Sequence, residues 1–446
     1  MPVEIVKVKT NKQLKTFIRF NYELYKENPY SVPDLYEDTL NTLHKDRNAA
    51  FEFCEADYFL AYRDGKVVGR IAAIINHRAN EKWGKKTARF GWVDFIDDNE
   101  VVDALFATAE KWARERGMTE IEGPLGFTDL DPEGMLIEGF DRLGTMATIY
   151  NHPYYPEHMQ RLGFAKAADW VEFMFRVPEE RWEKAVRVSA IVERKYNLKI
   201  VKCKSRSELA KRYGRQMFEL INECYAELHG YSELSEKQIE QYIKMYLPII
   251  DMRLASFIVD KDDNLIGIGV SIYSMSEALR KAKGKLFPFG WWHLAKALFF
   301  KQPKRLDFLL VAIKPEYQNK GVFAMMFNDL LGSFIDMGFI DVESNPELEE
   351  NKKMLSQWIA LTRTSTSVAE HSEKRFNRKL YNRTIKHKRC PKIKIWNSMK
   401  IPKLMQPHTT MTPYATLATW SIYVCAPVCT SVNWVTAHKA MTVYMY

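Results

Sequence analysis

One short pattern occurs twice in this chain, and the repetition limits the possible folds more than any other feature of the sequence. The segment IVKVKTNKQL (Ile5–Leu14) returns 195 residues later as IVKCKSRSEL (Ile200–Leu209). Each copy reads as a short strand, a Thr or Ser in a helix-capping position, and a helix with apolar periodicity. The sequence therefore predicts that one local unit is built twice.

A second pair of matching segments follows in the same order. YFLAYRDGKVVGRIAAI (Tyr58–Ile74) and SFIVDKDDNLIGIGVSI (Ser256–Ile272) each contain two runs typical of strands around a tight turn. Two matches in one order predict two copies of a strand–helix–hairpin plan. The predicted fold class is α/β, with mixed (α+β) sheets in two tandem domains.

The predicted domains are 1–180 and 181–358, followed by an irregular tail, 359–446. This tail holds 14 Lys/Arg and 2 acids. Subtracting these from the 65 and 56 of the whole chain leaves 51 basic and 54 acidic residues in the body. A basic tail could bind nucleic acid or an acidic membrane. The lack of any lasting period instead favours a disordered extension, or a shift of the reading frame near Ile359.

Other sequence features argue against a membrane-spanning, a secreted or a metal-binding protein. No stretch approaches 18 uncharged apolar residues, so no membrane-spanning helix is expected. The N-terminal residues lack the apolar region of a secretory signal, and we expect a cytoplasmic protein. The six cysteines are scattered, with only Cys425 and Cys429 close together, which favours free thiols and no metal site.

The stretch VAIKPEYQNKGVFAMMFNDLL (Val311–Leu331) reads as a strand, a polar loop with one glycine, and an amphipathic helix. The first N–H groups of a helix and its positive dipole end form an anion site. Gly321 lacks the Cβ that would block close approach of a ligand. A plain strand–turn–helix with a capping glycine is the alternative for this loop taken alone.

The order of predicted elements, with a Q-x-x-G loop after the fourth strand of the unit, resembles the GNAT acyltransferase superfamily, and the two copies resemble its tandem subgroup. The resemblance covers about Val3 to Trp358. It implies that the loop binds the pyrophosphate of acetyl-CoA or another acyl-CoA, although Phe323 stands where the family has a small residue. The implied cofactor contacts are Val311, Ile313, Gln318, Asn319, Lys320, Gly321, Val322, Phe323 and Asn351.

The resemblance also departs from the family pattern in two places. The family motif N-x-x-A-x-x-x-Y is matched only in part, because Trp358 replaces the tyrosine that often protonates the leaving thiolate. In the first copy, the residues from Asp97 to Glu100 replace the glycine loop with three carboxylates that would repel a pyrophosphate. We therefore expect one acyl-CoA site, in the second half.

Acyl transfer to an amine needs a deprotonated amine, a polarised thioester carbonyl and a protonated thiolate. The candidate bases are Asp307, at the start of a predicted strand, and Glu343, at the end of the next strand. Tyr317 is one candidate acid. The first half offers further candidates, namely Tyr150, Tyr154 and Tyr155. For any of these residues alone, a surface acid or a packing tyrosine is the simpler interpretation.

The segment 285–305 is an unusual insertion, rich in aromatic residues and flanked by lysines. It is too short to span a bilayer. A helix packed between the two halves is the first interpretation. The others are contact with a membrane surface and the wall of a pocket for a long acyl chain.

A glycine-rich stretch, Gly123–Asn151, is long and polar. Such loops in compact domains are often functional, and this one could bind the acceptor amine. An ordered connection between a strand and a helix is an equally good interpretation.

The sequence thus predicts an N-acyltransferase that moves an acyl group, expected to be acetyl, directly from acyl-CoA to a small-molecule amine or amino-acid-like acceptor. No metal and no specific nucleic acid is expected to take part. The alternative is a GNAT-fold protein that binds CoA or another ligand without catalysis.

Overall fold

The structure is a computed structural model, and the residues that it describes are 2–146, 148–227, 230–247, 250–349, 351 and 376–384. The elements of the first half are β1 (Glu4–Lys7), α1 (Asn11–Leu24), α2 (Tyr36–Leu43), β2 (Cys54–Arg63), β3 (Lys66–Asn76), α3 (His77–Trp83), β4 (Thr87–Phe95), α4 (Asn99–Glu115), β5 (Glu120–Gly123), β6 (Met135–Leu136), α5 (Tyr154–Arg161), β7 (Ala165–Glu172) and β8 (Met174–Arg176).

The second half has the same alternation of helices and strands. Its elements are α6 (Glu183–Tyr196), β9 (Lys199–Val201), α7 (Arg206–Tyr225), α8 (Glu236–Tyr246), β10 (Ala255–Val259), β11 (Leu265–Tyr273), α9 (Ser276–Ala282), α10 (Gly290–Ala295), β12 (Arg305–Ile313), α11 (Val322–Asp336), β13 (Asp341–Ser344), β14 (Glu347–Leu348) and, far along the chain, β15 (Phe376–Thr384).

The repeated unit has the same local structure in both halves. Thr10 and Ser205 cap α1 and α7, and each hydroxyl accepts a backbone N–H three residues on, at 3.2 and 3.1 Å. The hairpins β2–β3 and β10–β11 both turn through a left-handed aspartate, Asp64 with φ +53° and Asp263 with φ +67°. The predicted fold class, two tandem mixed-sheet units, is confirmed.

Each half packs a helix on either face of its sheet. In the first half, α4 covers one face through residues such as Leu105 and Phe106, while α1 covers the other through Phe17. In the second half, α11 lies on the face that carries Phe308, and α7 lies on the opposite face. Helix α11 is thus the counterpart of α4 in the repeat.

The two halves exchange strands between their sheets. The first sheet has the order β1-β2-β3-β4-β5-β15-β7-β14, and the second has the order β8-β13-β12-β11-β10-β9. The chain passes from the first sheet to the second at Phe173, between β7 and β8, and it returns with β14. The backbone N–H of Phe173 donates to Ser344 Oγ at 2.9 Å, and its carbonyl accepts the Ser344 N–H at 2.7 Å. The predicted boundary near residue 180 lies between the two sequence copies. It does not coincide with the boundary between the sheets, because β8 belongs to the second sheet and β14 to the first.

The tail that the sequence predicted to be irregular contains one strand, Phe376–Thr384, and the hypothesis of a shifted reading frame stays a prediction. This strand, β15, lies between β5 and β7 and pairs antiparallel with both. Arg383 reaches the first half, with Nη1 3.0 Å from Glu110 Oε1 and its guanidinium over the Phe164 ring. Strand pairing between residues about 200 positions apart has no local sequence signal. The rest of the tail lies outside the described residues.

The chain after β13 joins the first sheet, because Glu347–Leu348 form strand β14 and pair with β7. Within the ranges that the structure describes, no helix is both long and apolar enough to cross a lipid bilayer.

The position of β15 inside the first sheet leads to a testable prediction. Arg378 pairs with Trp170 of β7 and with Leu136 of β6, and Arg378→Pro introduces a residue without an N–H into a strand that has neighbours on both sides. We expect a loss of roughly 1–3 kcal/mol in the free energy of unfolding, measured by urea denaturation. Arg378→Lys, which retains the N–H and the charge, is the matched control and should unfold close to the parent. A proline variant as stable as the parent would show that β15 does not pair there.

Candidate active site

No side chain caps the start of helix α11, although Val188 and Val192 of α6 lie close to it. Its N-terminal residue is Gly321, with φ +82° and ψ 7°, a left-handed conformation that favours glycine. The first helical hydrogen bond runs from the Met325 N–H to the Gly321 carbonyl at 3.2 Å. The N–H groups before Met325 lie outside the helical ladder, so they give this helix start the geometry of an anion site.

The loop before α11 is held by its own hydrogen bonds. The backbone N–H groups of Gln318 and Lys320 donate to the carbonyls of Pro315 and Tyr317. The side chain of Gln318 is buried and its Nε2 donates to the Ile313 carbonyl at 3.1 Å. Gln318 therefore shapes the loop by bracing it against the end of β12.

Lys320 supplies a positive charge beside this helix start. Its side chain is exposed, and Nζ lies over the rings of Tyr196 and Tyr317 at 5.3 and 5.1 Å. Within the described ranges, Lys320 has no ion pair with a carboxylate. A cation held by two rings next to unbonded N–H groups suits an anionic ligand such as a pyrophosphate.

The counterpart helix in the first half begins in the opposite way. Asp98 caps α4 by accepting the Val101 N–H at 3.1 Å, and it forms two hydrogen bonds with Arg63 at 2.6 and 3.1 Å. The hydrogen bond from Arg63 lowers the pKa of Asp98 to about 2. The start of α4 thus carries a fixed negative charge where the start of α11 carries none.

The strand pair in front of α11 opens toward the loop. β12 and β13 run parallel and are paired only from Arg305 to Phe308, opposite Asp341 to Ser344. Beyond this point Asn345 Nδ2 donates to the Leu309 carbonyl at 2.6 Å, and the chain leaves for β14. The β13-facing edge of β12 therefore has no strand partner after Leu309 within the described part of the chain.

The equivalent edge in the first half is filled by tyrosines. Tyr154 Oη donates to the Phe95 carbonyl at 2.7 Å, and the Phe95 N–H donates to Tyr155 Oη at 3.1 Å. Burial raises the pKa of Tyr155, which is completely enclosed and hydrogen-bonded to Asp94 and Tyr25. These tyrosines hold the first half together, which is the simpler of the two interpretations offered for them.

The structure brings the two candidate bases together on adjacent strands. Asp307 and Glu343 are register partners in β12 and β13, and both are 1% exposed. Arg305 forms an ion pair with Glu343, so the charge of Glu343 is compensated. Ser274 lies beside Asp307, yet neither carboxylate oxygen of Asp307 has a hydrogen bond of ordinary geometry among the described residues. Burial raises the pKa of Asp307 to about 6, against the opposing effect of Arg305.

Tyr317 does not join these carboxylates. It ends a single 3-10 turn, Pro315–Tyr317, beyond the far end of β12, whereas Asp307 lies near the start of that strand. The six residue-to-residue steps from Asp307 to Ile313 alone span about 20 Å. The structure thus places Tyr317 beside the start of α11, and we assign it no proton transfer at the carboxylates.

The other predicted cofactor residues lie in different environments. The side chains of Val311, Ile313, Val322 and Phe323 are buried in the core between α11 and the second sheet, so only their backbone groups are suited to contact a ligand. Asn319 is exposed in the loop with φ +60°. Asn351 is buried after β14 and donates its N–H to the Leu348 carbonyl. Trp358 lies outside the described residues.

A cavity between the halves has an acidic lining. It includes Trp92 of the first sheet, Leu279 of α9 and three residues of the glycine-rich stretch. Its full lining is Asp34, Leu35, Asp38, Thr39, Thr42, Trp92, Asp131, Pro132, Met146 and Leu279. Burial raises the pKa of Asp131 to about 6, although the N–H groups of Phe127 and Thr128 stabilise its charged form. Three carboxylates in a partly apolar cavity suit an amine or ammonium group.

Helix α9 connects this cavity with Asp307. Leu279 lies within one turn of Ser276, whose Oγ is 3.3 Å from Ser274 Oγ. Ser274 in turn lies beside Asp307. The cavity and the buried carboxylate are therefore neighbours along one short segment of chain.

Comparisons with known proteins were made at the level of sequence and of structure. No family model matches the chain. "Bacterial ceramide synthase" of Caulobacter vibrioides (strain NA1000 / CB15N) is 28% identical over 366 residues, which is 79% of this chain and 92% of that protein. "Protein YghO" of Escherichia coli (strain K12) is 28% identical over 308 residues, covering 68% of this chain and 77% of that protein.

The similar solved structures include a tandem GNAT protein from the clavulanic acid biosynthesis pathway. It aligns with 86% of this chain and 99% of its own length, with a TM-score of 0.50 and 12% sequence identity. The chain has the tandem GNAT fold. The resemblance found in the sequence is confirmed at the level of the fold.

The sequence analysis did not single out two parts of this site. Arg305 is one, although its position two residues before Asp307 places both side chains on one face of the strand. The other is the pair Asp34 and Asp38, which the fold brings to Asp131 of the glycine-rich stretch from a distant part of the chain.

The difference between the N-terminal ends of α11 and α4 can be tested by titration with acyl-CoA. We expect Lys320→Glu to weaken acyl-CoA binding by roughly 10- to 100-fold, since a charge-assisted hydrogen bond contributes ~1.5–3 kcal/mol. Isothermal titration calorimetry measures this affinity. Lys320 suits the test better than Gly321, because Gly321 has a positive φ and a Cβ there would lie 2.9 Å from Val192.

The matched control is Asp98→Ala at the start of α4. It removes a helix cap and should cost about 1 kcal/mol of stability while leaving acyl-CoA affinity unchanged. If Lys320→Glu bound acyl-CoA like the parent, or if Asp98→Ala changed the affinity, the phosphate site would not lie at α11.

Proposed function

We propose that this protein is an acyl-CoA-dependent N-acyltransferase that transfers the acyl group directly to an amine. The observation that carries the proposal is the start of α11, which no side chain caps, at the end of an open strand edge. The first half has the same fold, yet Asp98 and Tyr154 occupy both positions there. The proposal therefore assigns the acyl-CoA to the second half.

In this proposal the pyrophosphate lies at the N–H groups of the α11 start, next to Lys320. The pantetheine follows the free edge of β12, and the thioester lies near Leu309, where β13 departs. The carbonyl of Ile313 is already taken by Gln318 Nε2 and by the Cys224 thiol. Pairing with the pantetheine therefore uses backbone groups between Leu309 and that carbonyl.

Asp307 is the proposed general base. The amine nitrogen attacks the thioester carbonyl, the C–N bond forms, the C–S bond breaks, and Asp307 takes the proton that the nitrogen loses. A pKa of about 6 leaves Asp307 ionised and still basic at neutral pH. The thiolate leaves readily because an ordinary thiol pKa is about 8.5. Glu343 holds Arg305 beside Asp307 and is not itself the base.

The acidic cavity is the proposed acceptor site. Asp34, Asp38 and Asp131 suit the cationic form of an amine, and Leu35 and Leu279 belong to an apolar cluster that continues to Leu294. This combination fits an amine with a long apolar chain better than an amino acid. A lipid-like amine also agrees with the printed name of the Caulobacter relative.

The remaining sequence predictions enter the proposal unchanged. The proposed acyl donor is acetyl-CoA or another acyl-CoA, and the rates of transfer from acetyl-CoA and from longer acyl-CoAs are to be compared. The cytoplasmic location, the membrane-surface contact of 285–305, and the expectations of no metal and no specific nucleic acid stay predictions.

The role of Asp307 predicts a specific pH dependence. With the parent enzyme, kcat/KM for the amine should rise with pH through an apparent pKa of about 6, because only ionised Asp307 accepts a proton. Asp307→Asn should lower kcat by roughly 100-fold or more and remove this limb. Release of free thiol with a set of long-chain and short-chain amines is the measurement.

Thermal unfolding at pH 8 separates this loss from misfolding. The pKa of Asp307 is raised in the folded state, so its ionisation above pH 6 opposes folding, and Asp307→Asn should be no less stable than the parent there. An active Asp307→Asn variant with an unchanged pH profile would rule Asp307 out as the base.

The acceptor site predicts a separate effect on KM. Asp34→Asn should raise KM for the amine by roughly tenfold, since one charge-assisted contact is lost, while acyl-CoA affinity stays unchanged. Asp46→Asn is the matched control, because Asp46 is highly exposed and lies outside the cavity lining. Equal KM values for the parent and Asp34→Asn would place the amine elsewhere.

A further inference from the structure

An exposed aromatic surface lies on the insertion between α9 and β12. Of the nine large apolar side chains that are exposed among the described residues, six belong to this segment. They are Phe287, Phe289, Trp291, Trp292, Phe299 and Phe300, with exposures from 40% to 76%. A monomeric soluble protein rarely exposes so many neighbouring aromatic side chains without a use for them.

The opposite side of the insertion anchors it to the fold. Leu286 and Leu294 are buried against Leu35 and Leu279. The segment thus packs against both halves, as the first sequence interpretation expected, but only through this inner side. Its outer rings contact one another, with Trp292 5.9 Å from Trp291 and 5.6 Å from Phe300. The aromatic residues therefore form one outward surface, with Phe287 and Phe289 just before α10 and the other four on α10 and on the π-helical turn Lys296–Phe300.

The charged side chains of the segment that carries these rings are all basic, and Glu277 just before it pairs with Lys281 at 3.9 Å. Six exposed lysines flank the rings, namely Lys281, Lys283, Lys285, Lys296, Lys301 and Lys304. The sequence from 278 to 304 contains no Asp or Glu. We call this surface, formed by the six aromatic residues and the six lysines, the aromatic–lysine face.

The charge pattern decides which occupant fits this face. A second copy of the chain would bring two sets of lysines together, and like charges oppose that contact. The tail is also basic, with 14 Lys/Arg and 2 acids, so it has the wrong charge to cover the face. A bilayer with anionic headgroups matches both features, since rings enter the interface while lysines stay at the headgroups.

We propose that the aromatic–lysine face docks this protein on a negatively charged membrane surface. The aromatic side chains insert to the level of the headgroup–acyl boundary, and the lysines contact anionic lipids. The inner side of the same segment joins the apolar cluster at Leu35 and Leu279, which line the acidic cavity. Docking therefore sets the cavity close to the bilayer. The proposal concerns binding alone and does not depend on acyl transfer.

Vesicle flotation with the full chain, without acyl-CoA or amine, tests the proposal. The probes are vesicles of phosphatidylcholine alone and vesicles with about one third phosphatidylglycerol. The parent should float with the anionic vesicles and much less with the neutral ones. Binding should fall steeply with added salt, because screening weakens the lysine contribution.

Two sets of variants separate the aromatic and the charge contributions. Phe289→Ser/Trp292→Ser/Phe300→Ser and Lys285→Glu/Lys301→Glu should each lower the partition coefficient by roughly tenfold or more. Val186→Ser/Ile191→Ser is the matched control, since these side chains are also exposed and apolar but lie on α6. The control should bind like the parent.

Three results would overturn the proposal. One is a parent protein that stays with neither kind of vesicle, and another is an aromatic variant that binds as well as the parent. The third is a concentration-dependent dimer in light scattering, without vesicle binding, that the aromatic substitutions abolish. That result would assign the face to a second copy of the chain. Thermal unfolding of every variant shows that each is folded before flotation.

Discussion

The site depends on the place where β13 parts from β12. Four register pairs hold the two strands together, and they end at Phe308 and Ser344. The chain then turns into β14, which pairs with β7 in the other sheet. Because β13 is drawn toward the first sheet, it cannot continue along β12, and one edge of β12 is left free. The exchange of strands between the halves is thus the physical cause of the open edge.

The same exchange explains why two copies of one fold can differ in function. Both halves have a strand that leads into a helix, but the first uses Asp98 to cap its helix and Tyr154 to occupy its strand edge. These contacts satisfy backbone groups that a ligand would otherwise satisfy. The second half leaves those positions open. One copy thus gains internal contacts, while the other retains a site that a ligand can complete.

Local features of the fold were predictable from the sequence, and long-range pairing was not. The caps at Thr10 and Ser205 and the loop at Gly321 depend on residues within a few positions, so their patterns are visible in the chain. Strands β14 and β15 are short or distant, and their partners are decided by the assembled sheet. The separation of Tyr317 from Asp307 was predictable from the sequence, because the length of the strand between them keeps the two side chains apart.

Within the site, the sequence could name Asp307 and Glu343 but could not rank them. Both stand at strand ends with similar neighbours, and only the structure shows that Arg305 compensates Glu343. Burial of an ion pair is tolerable when the partners satisfy each other, whereas a buried carboxylate without such a partner is costly.

The cost of Asp307 is itself an argument for function. Its pKa rises from 3.8 to about 6, so keeping it ionised at pH 7 costs about 3 kcal/mol of folding stability. This penalty is absent below pH 4, where the carboxyl is protonated in both the folded and the unfolded chain, and is fully present above pH 6. An asparagine or serine at this position would avoid it. A domain is stable by only about 5–15 kcal/mol, so a cost of this size is retained where an ionised carboxylate is needed. Asp307 lies next to the point where β12 and β13 separate. The costly carboxylate therefore lies beside the free edge of β12, where the proposed thioester would bind.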